Sequence, residues 1–411
     1  MFFIKRILGK EVPVVYQKTE GFTKQQFSEK EMLHRLKGLR ETMDRIGVDA
    51  VVTTSIQSTL YYSNFWMIPF GREQVTVIPL RGEPAIIAPL IEYDRPKNMG
   101  WFKDVRIYPD TASSMDGTVK SVKEILSDNG ITRGKIGVEE DHIPFKLFKA
   151  LQRALPQFEF VDVGYGMMRQ RMVKSDEEIA LIRQGAEIAD IGGQAFVDAV
   201  DEGVSEVQVA RAAVTAMEEE ICRRFPQFEC DAIWCWCQSG VSRTYVAHAP
   251  NTPRKIRKGD LLSLNTFPMI VGYYHALERS LVYGPMSDAI RKPFEVNVEA
   301  HMAGIEAIRP GVRCGDIDSV INPIYEKAGL LEYRTFGTGH SFGIMGFWYG
   351  REEGGELRPY NDNVLEANMV VSIEPMIAIP GVGGFRHHDM LLVTKDGREL
   401  LTKFQRGVIN I

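Results

Sequence analysis

Asn265, Ala276, His340, Glu374 and His388 lie toward the C-terminal end at spacings that suit a hydrolytic centre, with the wrong residues for one. A two-metal hydrolytic site on adjoining strands takes two aspartates, then a His, a Glu and a second Glu. Here the aspartate positions, eleven residues apart, hold an amide and a methyl, and the last carboxylate position holds an imidazole. Three negative charges are missing, so two divalent cations would lack compensation. Glu278, Arg351 and His248 accompany this gap. Such a set suits an organic cation that also carries a carboxylate.

The elements that must position these residues are legible in part. Lys258-Gly259-Asp260 is a turn launching a strand, Leu261–Asn265, and a second strand is expected over Tyr273–Val282. Period-2 alternation puts Tyr274, Ala276, Glu278 and Ser280 on one face of it. Glu278 sits among Leu277, Leu281 and Val282, which predicts burial, and a buried Glu needs a partner. Gly337–Gly343 is a glycine-dense loop around His340 without the Gly-Lys-Ser ending of a phosphate loop. Its glycines suggest close backbone approach. Val370–Met376 reads as a strand ending in Glu374-Pro375, with the carboxylate at a strand end. His387-His388 precedes an expected strand, Met390–Val393. Paired histidines often bind metal, but the other ligands are missing. Arg351 on composition alone reads as a surface arginine. His248 lies in a loop after the strand-like Ile233–Gln238. It reads either as an ordinary loop residue or as the general base, since imidazole titrates near working pH.

The first ~160 residues alternate helices and strands. Ser28 and Glu31 form an expected capping box with a Phe27/Met32 staple, and Gly47 stops that helix. Strands are expected at Asp49–Thr54, Gln74–Leu80, Pro84–Pro89, Val105–Tyr108, Lys135–Glu139 and Phe158–Val163. Ser175–Glu178 is a second capping box. Helix pairs meeting at Gly203-Val204 and again at Gly311-Val312 suggest two similar α/β halves facing each other.

The chain has 411 residues and a net charge of −5 with both signs interspersed, which suggests neither nucleic acid nor an anionic membrane as partner. No apolar run approaches the ~20 residues of a spanning helix, and MFFIKRILGK is too short and too early interrupted for a signal segment. A cytoplasmic enzyme is the expectation. The five cysteines show no zinc spacing and are expected as buried, reduced thiols.

At this point the residues match a family. The C-terminal half resembles the pita-bread metallopeptidases, whose ligands are the Asp, Asp, His, Glu, Glu set. Within that superfamily essentially the whole chain resembles the creatinases, its metal-free members. The likeness rests on Tyr61–Phe65, Phe70-Gly71-Arg72, Ala189–Gly193, Asn265–Glu278, Arg334–Gly337, Gly339–Gly343, Tyr349–Glu352 and Ser372–Met376 together. It implies an α/β (α+β) fold: a smaller N-terminal α/β domain over 1–165, then a catalytic pita-bread domain over 166–411 with pseudo-twofold halves.

The resemblance further implies hydrolysis of creatine to sarcosine and urea, with no metal and no cofactor. It makes His248 catalytic, although this chain reads Ala-His-Ala-Pro where the family has Ala-His-Asn-Pro. Glu278 and Glu374 would grip the guanidinium, and Arg351 the carboxylate. Arg72 and Phe70 would come from a partner subunit, which implies a homodimer with a shared site. Tyr274, His340 and His388 complete the pocket. Two other readings compete. A metal-dependent Xaa-Pro peptidase needs carboxylates at 265 and 276. A non-catalytic peptidase-like binding module gives no reason to keep His248, Glu278, Arg351 and Glu374 together.

Overall fold

Apolar runs such as Ala50-Val51-Val52 and Ala85-Ile86-Ile87 have no polar alternation, as expected of strands buried on both faces. The computed structural model describes residues 26–68, 70–111, 114–230, 232–335, 337–344 and 353–411. In it these runs become central strands. β1 (Ala50–Thr53), β2 (Val75–Pro79), β3 (Ala85–Pro89), β4 (Asp104–Tyr108), β5 (Gly134–Val138) and β6 (Phe158–Asp162) form one sheet, ordered β4-β3-β2-β1-β5-β6. β1, β2 and β3 pair antiparallel, and the outer pairings are parallel. Val51, Ile78 and Ile86 pack into one core, while Ala50, Val52, Val75 and Ile87 pack into another. The sheet is therefore covered on both sides.

The first described helix, Glu29–Ile46, keeps half of its expected capping box. The Ser28 hydroxyl accepts from Glu31 N. The Glu31 carboxylate does not return to Ser28 but pairs with Arg35 at 2.6 Å, and Ser28 N donates to Glu177 at 2.8 Å. The stronger charged partner wins over the reciprocal cap. Arg35 is itself buried between the Phe27 and Tyr61 rings, and its guanidinium reaches Tyr273 Oη at 3.3 Å. The Tyr273 hydroxyl donates to Glu178 at 2.6 Å. Glu178 closes the expected capping box with Ser175 at the start of helix Asp176–Asp198. A buried ionic knot thus ties the N-terminal region to the residue beside Tyr274.

The C-terminal region contains β7 (Trp234–Ser239), β8 (Leu261–Phe267), β9 (Met269–Ile270), β10 (Tyr273–Tyr274), β11 (Leu277–Val282), β12 (Val370–Ile373), β13 (Met376–Ile379), β14 (Gly383–Val393) and β15 (Arg398–Leu400). The main sheet runs β12-β14-β11-β8-β7, with β13 and β15 also paired to β14. Helices Asp176–Asp198 and Glu206–Arg224 share a core with Leu262 and Leu264. Helices Asp288–Ala307 and Asp316–Lys327 share the other core, with Ile373 and Leu391. Each sequence-predicted helix pair therefore packs beside its own half of the strands.

Three expectations are corrected. The strand expected over Tyr273–Val282 breaks at His275-Ala276, where His275 N bonds Pro268 O at 3.0 Å, so Tyr274 belongs to the β9–β10 hairpin. The strand expected from Met390 begins at Gly383, so His387 and His388 lie inside it. Cys235, Cys237 and Cys314 are buried, but Cys222 and Cys230 are exposed. Cys222 lies on helix Glu206–Arg224, whose buried positions do not include it. Among the described residues no helix is long and apolar enough to cross a membrane.

Candidate active site

Antiparallel register assembles the centre of the site. Glu278 on β11 stands opposite Asn265 on β8 and His388 on β14. Glu374 follows β12, whose Ile373 is paired with Asp389. The loop bearing His340 runs alongside: Ser372 N donates to His340 O at 2.7 Å, and Glu374 N donates to Thr338 O at 2.6 Å. Gly339 is required there, because a Cβ would come 2.1 Å from the Ser372 carbonyl oxygen. The close approach expected of the glycine loop is thus an approach to the strand that ends at Glu374.

His340 Nδ1 lies 2.8 Å from the Ser341 carbonyl, which can only accept, so Nδ1 carries the proton. Nε2 then faces Glu374 Oε2 at 3.3 Å. His388 Nε2 lies 4.0 Å from the same oxygen. Neither ring nitrogen of His388, nor Glu374 Oε2, makes a hydrogen bond. Burial pushes His388 down to about 3, helped by His340 and Arg386 and opposed by Glu374 and Asp389, so it is neutral near pH 7. Burial by itself raises the Glu374 carboxyl. The close approach of His340, His388 and Arg386 outweighs it and holds Glu374 well below the usual range.

Sequence reasoning missed Arg386. It lies on β14, two residues before His388 and on the same face, which is the period-2 signal that would have found it. Its Nε is 2.9 Å from Glu278 Oε2 and its Nη1 is 3.8 Å from Glu374 Oε1. Its Nη2 donates to Asn265 Oδ1. The Asn265 amide in turn donates to Trp236 O at 3.0 Å and Ser263 O at 3.1 Å. The two carboxylates therefore converge on a guanidinium already within the chain.

His248 lies apart from this cluster, on an exposed loop after β7. A run of rings connects the two places. His248 meets Trp236 edge-on at 5.7 Å between centroids, and Trp236 meets Phe267 at 5.2 Å. Phe267 stacks on Tyr274 at 5.8 Å, and Tyr274 on Phe342 at 5.4 Å. Phe342 touches His340 at 4.9 Å and His388 at 5.5 Å. The His248 loop is pinned from beneath. Buried Gln238 donates to the carbonyls on both sides of the histidine, Ala247 O at 3.2 Å and Ala249 O at 3.4 Å. Buried Glu206 accepts from Arg243 and Thr252 and so ties down both ends of the loop. Gln238 and Glu206 were not singled out by sequence, where each reads as an ordinary strand or helix residue.

Phe70 and Arg72 stand away from the cluster on the N-terminal sheet's side. Phe70 is 80% exposed, with a positive φ of 42° that a bulky residue rarely adopts. Arg72 pairs with Asp110 at 2.6 Å. Arg351 lies outside the described residues.

Two divalent cations do not fit these residues. Asn265 offers a neutral oxygen already accepting from Arg386, Ala276 offers no ligand atom, and a guanidinium lies against Glu374 and Glu278. His340, Glu374 and His388 remain as three metal-type donors whose ligand atoms lie within 4.8 Å of one another.

Residues 180–395 match the metallopeptidase family M24, and residues 35–173 match the creatinase/prolidase N-terminal domain. The chain is 45% identical to a creatinase of Bacillus sp. (strain B-0618), over 93% of this chain and 92% of that protein. It is 28% identical to an Xaa-Pro dipeptidase of Pyrococcus horikoshii, over 92% and 99% respectively. Among solved structures it is similar to an Xaa-Pro dipeptidase from Bacillus anthracis, with a TM-score of 0.79 and 25% identity over 92% of this chain and all of that one. The prolidase of Pyrococcus horikoshii gives a TM-score of 0.77 at 25% identity over the same shares.

Proposed function

This chain belongs to the metallopeptidase family M24, in its creatinase group, and on that premise we propose that it hydrolyses creatine to sarcosine and urea without a metal. The observation that carries the reading is the convergence of Glu278 and Glu374 on one guanidinium, that of Arg386, in a centre where two metal-ligand positions are Asn265 and Ala276. Planar guanidinium groups match carboxylates through forked N–H donors. A second guanidinium, the substrate's, finds Glu374 Oε2 and the His388 ring still without hydrogen bonds.

In this mechanism His248 takes a proton from water as the water oxygen attacks the guanidinium carbon. Glu278 and Glu374 hold the N–H groups and favour positive charge localised on those nitrogens, which weakens the resonance opposing attack. The protonated His248 then gives its proton to the methylated nitrogen, the C–N bond to that nitrogen breaks, and sarcosine leaves. The remaining carbon keeps its hydroxyl and two amino groups, and that hydroxyl proton passes to the departing sarcosine nitrogen, leaving urea. Tyr274 and Phe342 form the apolar wall along which the substrate lies between His248 and the carboxylates. Arg351, with Arg72 and Phe70 of the partner subunit, receives the carboxylate end. The exposed Phe70 beside Arg72 supports a homodimer that shares the site.

Urea release from creatine, guanidinoacetate and related compounds tests this directly. The expected result is turnover of creatine that persists in a chelator. His248→Ala should lower kcat by on the order of 10²–10⁴-fold with the fold intact. Unchanged turnover in that variant, or activity lost to chelation and restored by metal, refutes the mechanism.

A further inference from the structure

We infer that Arg386 is the specificity residue of this centre: its buried guanidinium admits a single organic cation and excludes a divalent metal ion. The loss of two aspartates does not by itself explain exclusion. His340, Glu374 and His388 keep their ligand atoms within 4.8 Å of one another, a two-imidazole, one-carboxylate set suited to divalent ions. Glu278 adds a second carboxylate on the neighbouring strand. What opposes a metal is the charge already present.

Glu278 and Glu374 face a single guanidinium, that of Arg386, with Nε 2.9 Å from Glu278 Oε2 and Nη1 3.8 Å from Glu374 Oε1. One cation therefore already lies against both carboxylates, so a further single-charged guanidinium is better matched there than a divalent ion. A metal on Glu374 would share that carboxylate with the Arg386 guanidinium, whose Nη1 lies 3.8 Å from Glu374 Oε1, and like charges in a buried site repel strongly. Arg386 cannot move aside cheaply. It is 3% exposed, and its Nη2 is held by Asn265, itself 0% exposed and tied by its own amide to Trp236 and Ser263. Asn265 thus acquires a purpose: it is the neutral hook that fixes the cation where a metal ligand would otherwise stand.

The identity of the admitted cation rests on the proposed function; the exclusion of metal does not. The test is zinc and manganese titration by calorimetry, with metal counted by atomic emission, on wild type, Arg386→Met and Arg386→Lys. Wild type and the Lys variant should bind no ion at micromolar concentration. The Met variant should bind one, with affinity raised on the order of 10²-fold or more, and adding Glu374→Gln should abolish it. If the Met variant folds poorly, zinc should raise its Tm where it leaves wild type unmoved. Zinc binding by wild type as tight as by the Met variant, or none by a folded Met variant, overturns the inference. Equal zinc binding by the Lys variant also overturns it, since that variant keeps the charge. A metal contrast as expected in a protein that releases no urea from creatine would sustain Arg386's role and refute only the substrate.

Discussion

Two buried ionic clusters lie on opposite faces of β11 and β14, one residue apart in sequence. On one face are Glu278, Arg386 and His388, with Glu374 beside them. On the other, the Arg279 guanidinium and the Asp389 carboxylate are saturated, while the ring nitrogens of His301 make no hydrogen bond. Arg279 uses its donors on Gln405 O, Glu278 O, His388 O, Asp389 and Phe404 O. Asp389 accepts from Arg279 at 2.8 Å, Thr402 at 2.6 Å and Arg406 at 2.8 Å. In the first cluster Glu374 Oε2 and both His388 nitrogens are left without a hydrogen bond. Both faces are buried, but on one a single guanidinium meets two carboxylates and on the other two guanidinia meet one carboxylate, which is saturated. A closed network stiffens a fold, whereas an open one reserves polar capacity for a ligand.

The largest expected effect tests the closed side. Asp389→Ala should cost about 3–5 kcal/mol in denaturant unfolding, because it strands Arg279 in the core. A loss below about 1 kcal/mol would show that the saturated network is dispensable and would break the comparison. On the open side, Glu374→Gln should change stability far less while weakening creatine binding by on the order of 10²-fold, the range for truncating one partner of a buried charged pair. Steady-state KM and a melting curve on the same preparation separate the two; a Tm drop matching that of Asp389→Ala would erase the distinction.

Acid should then act on both faces. His301, against Asp389, is pushed down to about 3 by burial, with Arg279 and Arg406 also lowering it and Asp389 opposing; His388 is likewise down to about 3. Between about pH 6.5 and 3 the unfolded chain binds protons that the folded chain refuses, so stability falls as pH drops through that window. The depressed Asp389 and Glu374 carboxyls add a further loss below their unfolded range near pH 4. Denaturant midpoints from pH 7.5 to 5 should decline steadily, and a flat profile would count against neutral buried imidazoles on either face. The smallest effect is that of Thr402→Val, which removes one donor to Asp389 and should cost about 1 kcal/mol with KM unchanged.

Local chemistry was legible from the chain alone wherever neighbours in sequence are also neighbours in space. The Ser175 capping box, the β2–β3 hairpin and the repeated helix pairs depend on spacings of a few residues, and they form as expected. The missing aspartates at 265 and 276 announced an altered hydrolytic centre, and the burial of Glu278 followed from its apolar neighbours. Where distant segments compete for one group, sequence misled. Glu31 left its cap for Arg35, the Tyr273–Val282 run broke at His275, and His388 joined a strand that starts at Gly383.

Arg386 shows the limit most plainly. In sequence it is one arginine beside two histidines. Only the register of β8, β11 and β14 brings it between Glu278 and Asn265 and within reach of Glu374, segments more than a hundred residues apart in part. Residue types determined which charges this centre could hold. Cross-strand pairing decided which of them meet, because the energy of a buried charge depends on the partners within a few ångströms and not on its neighbours along the chain.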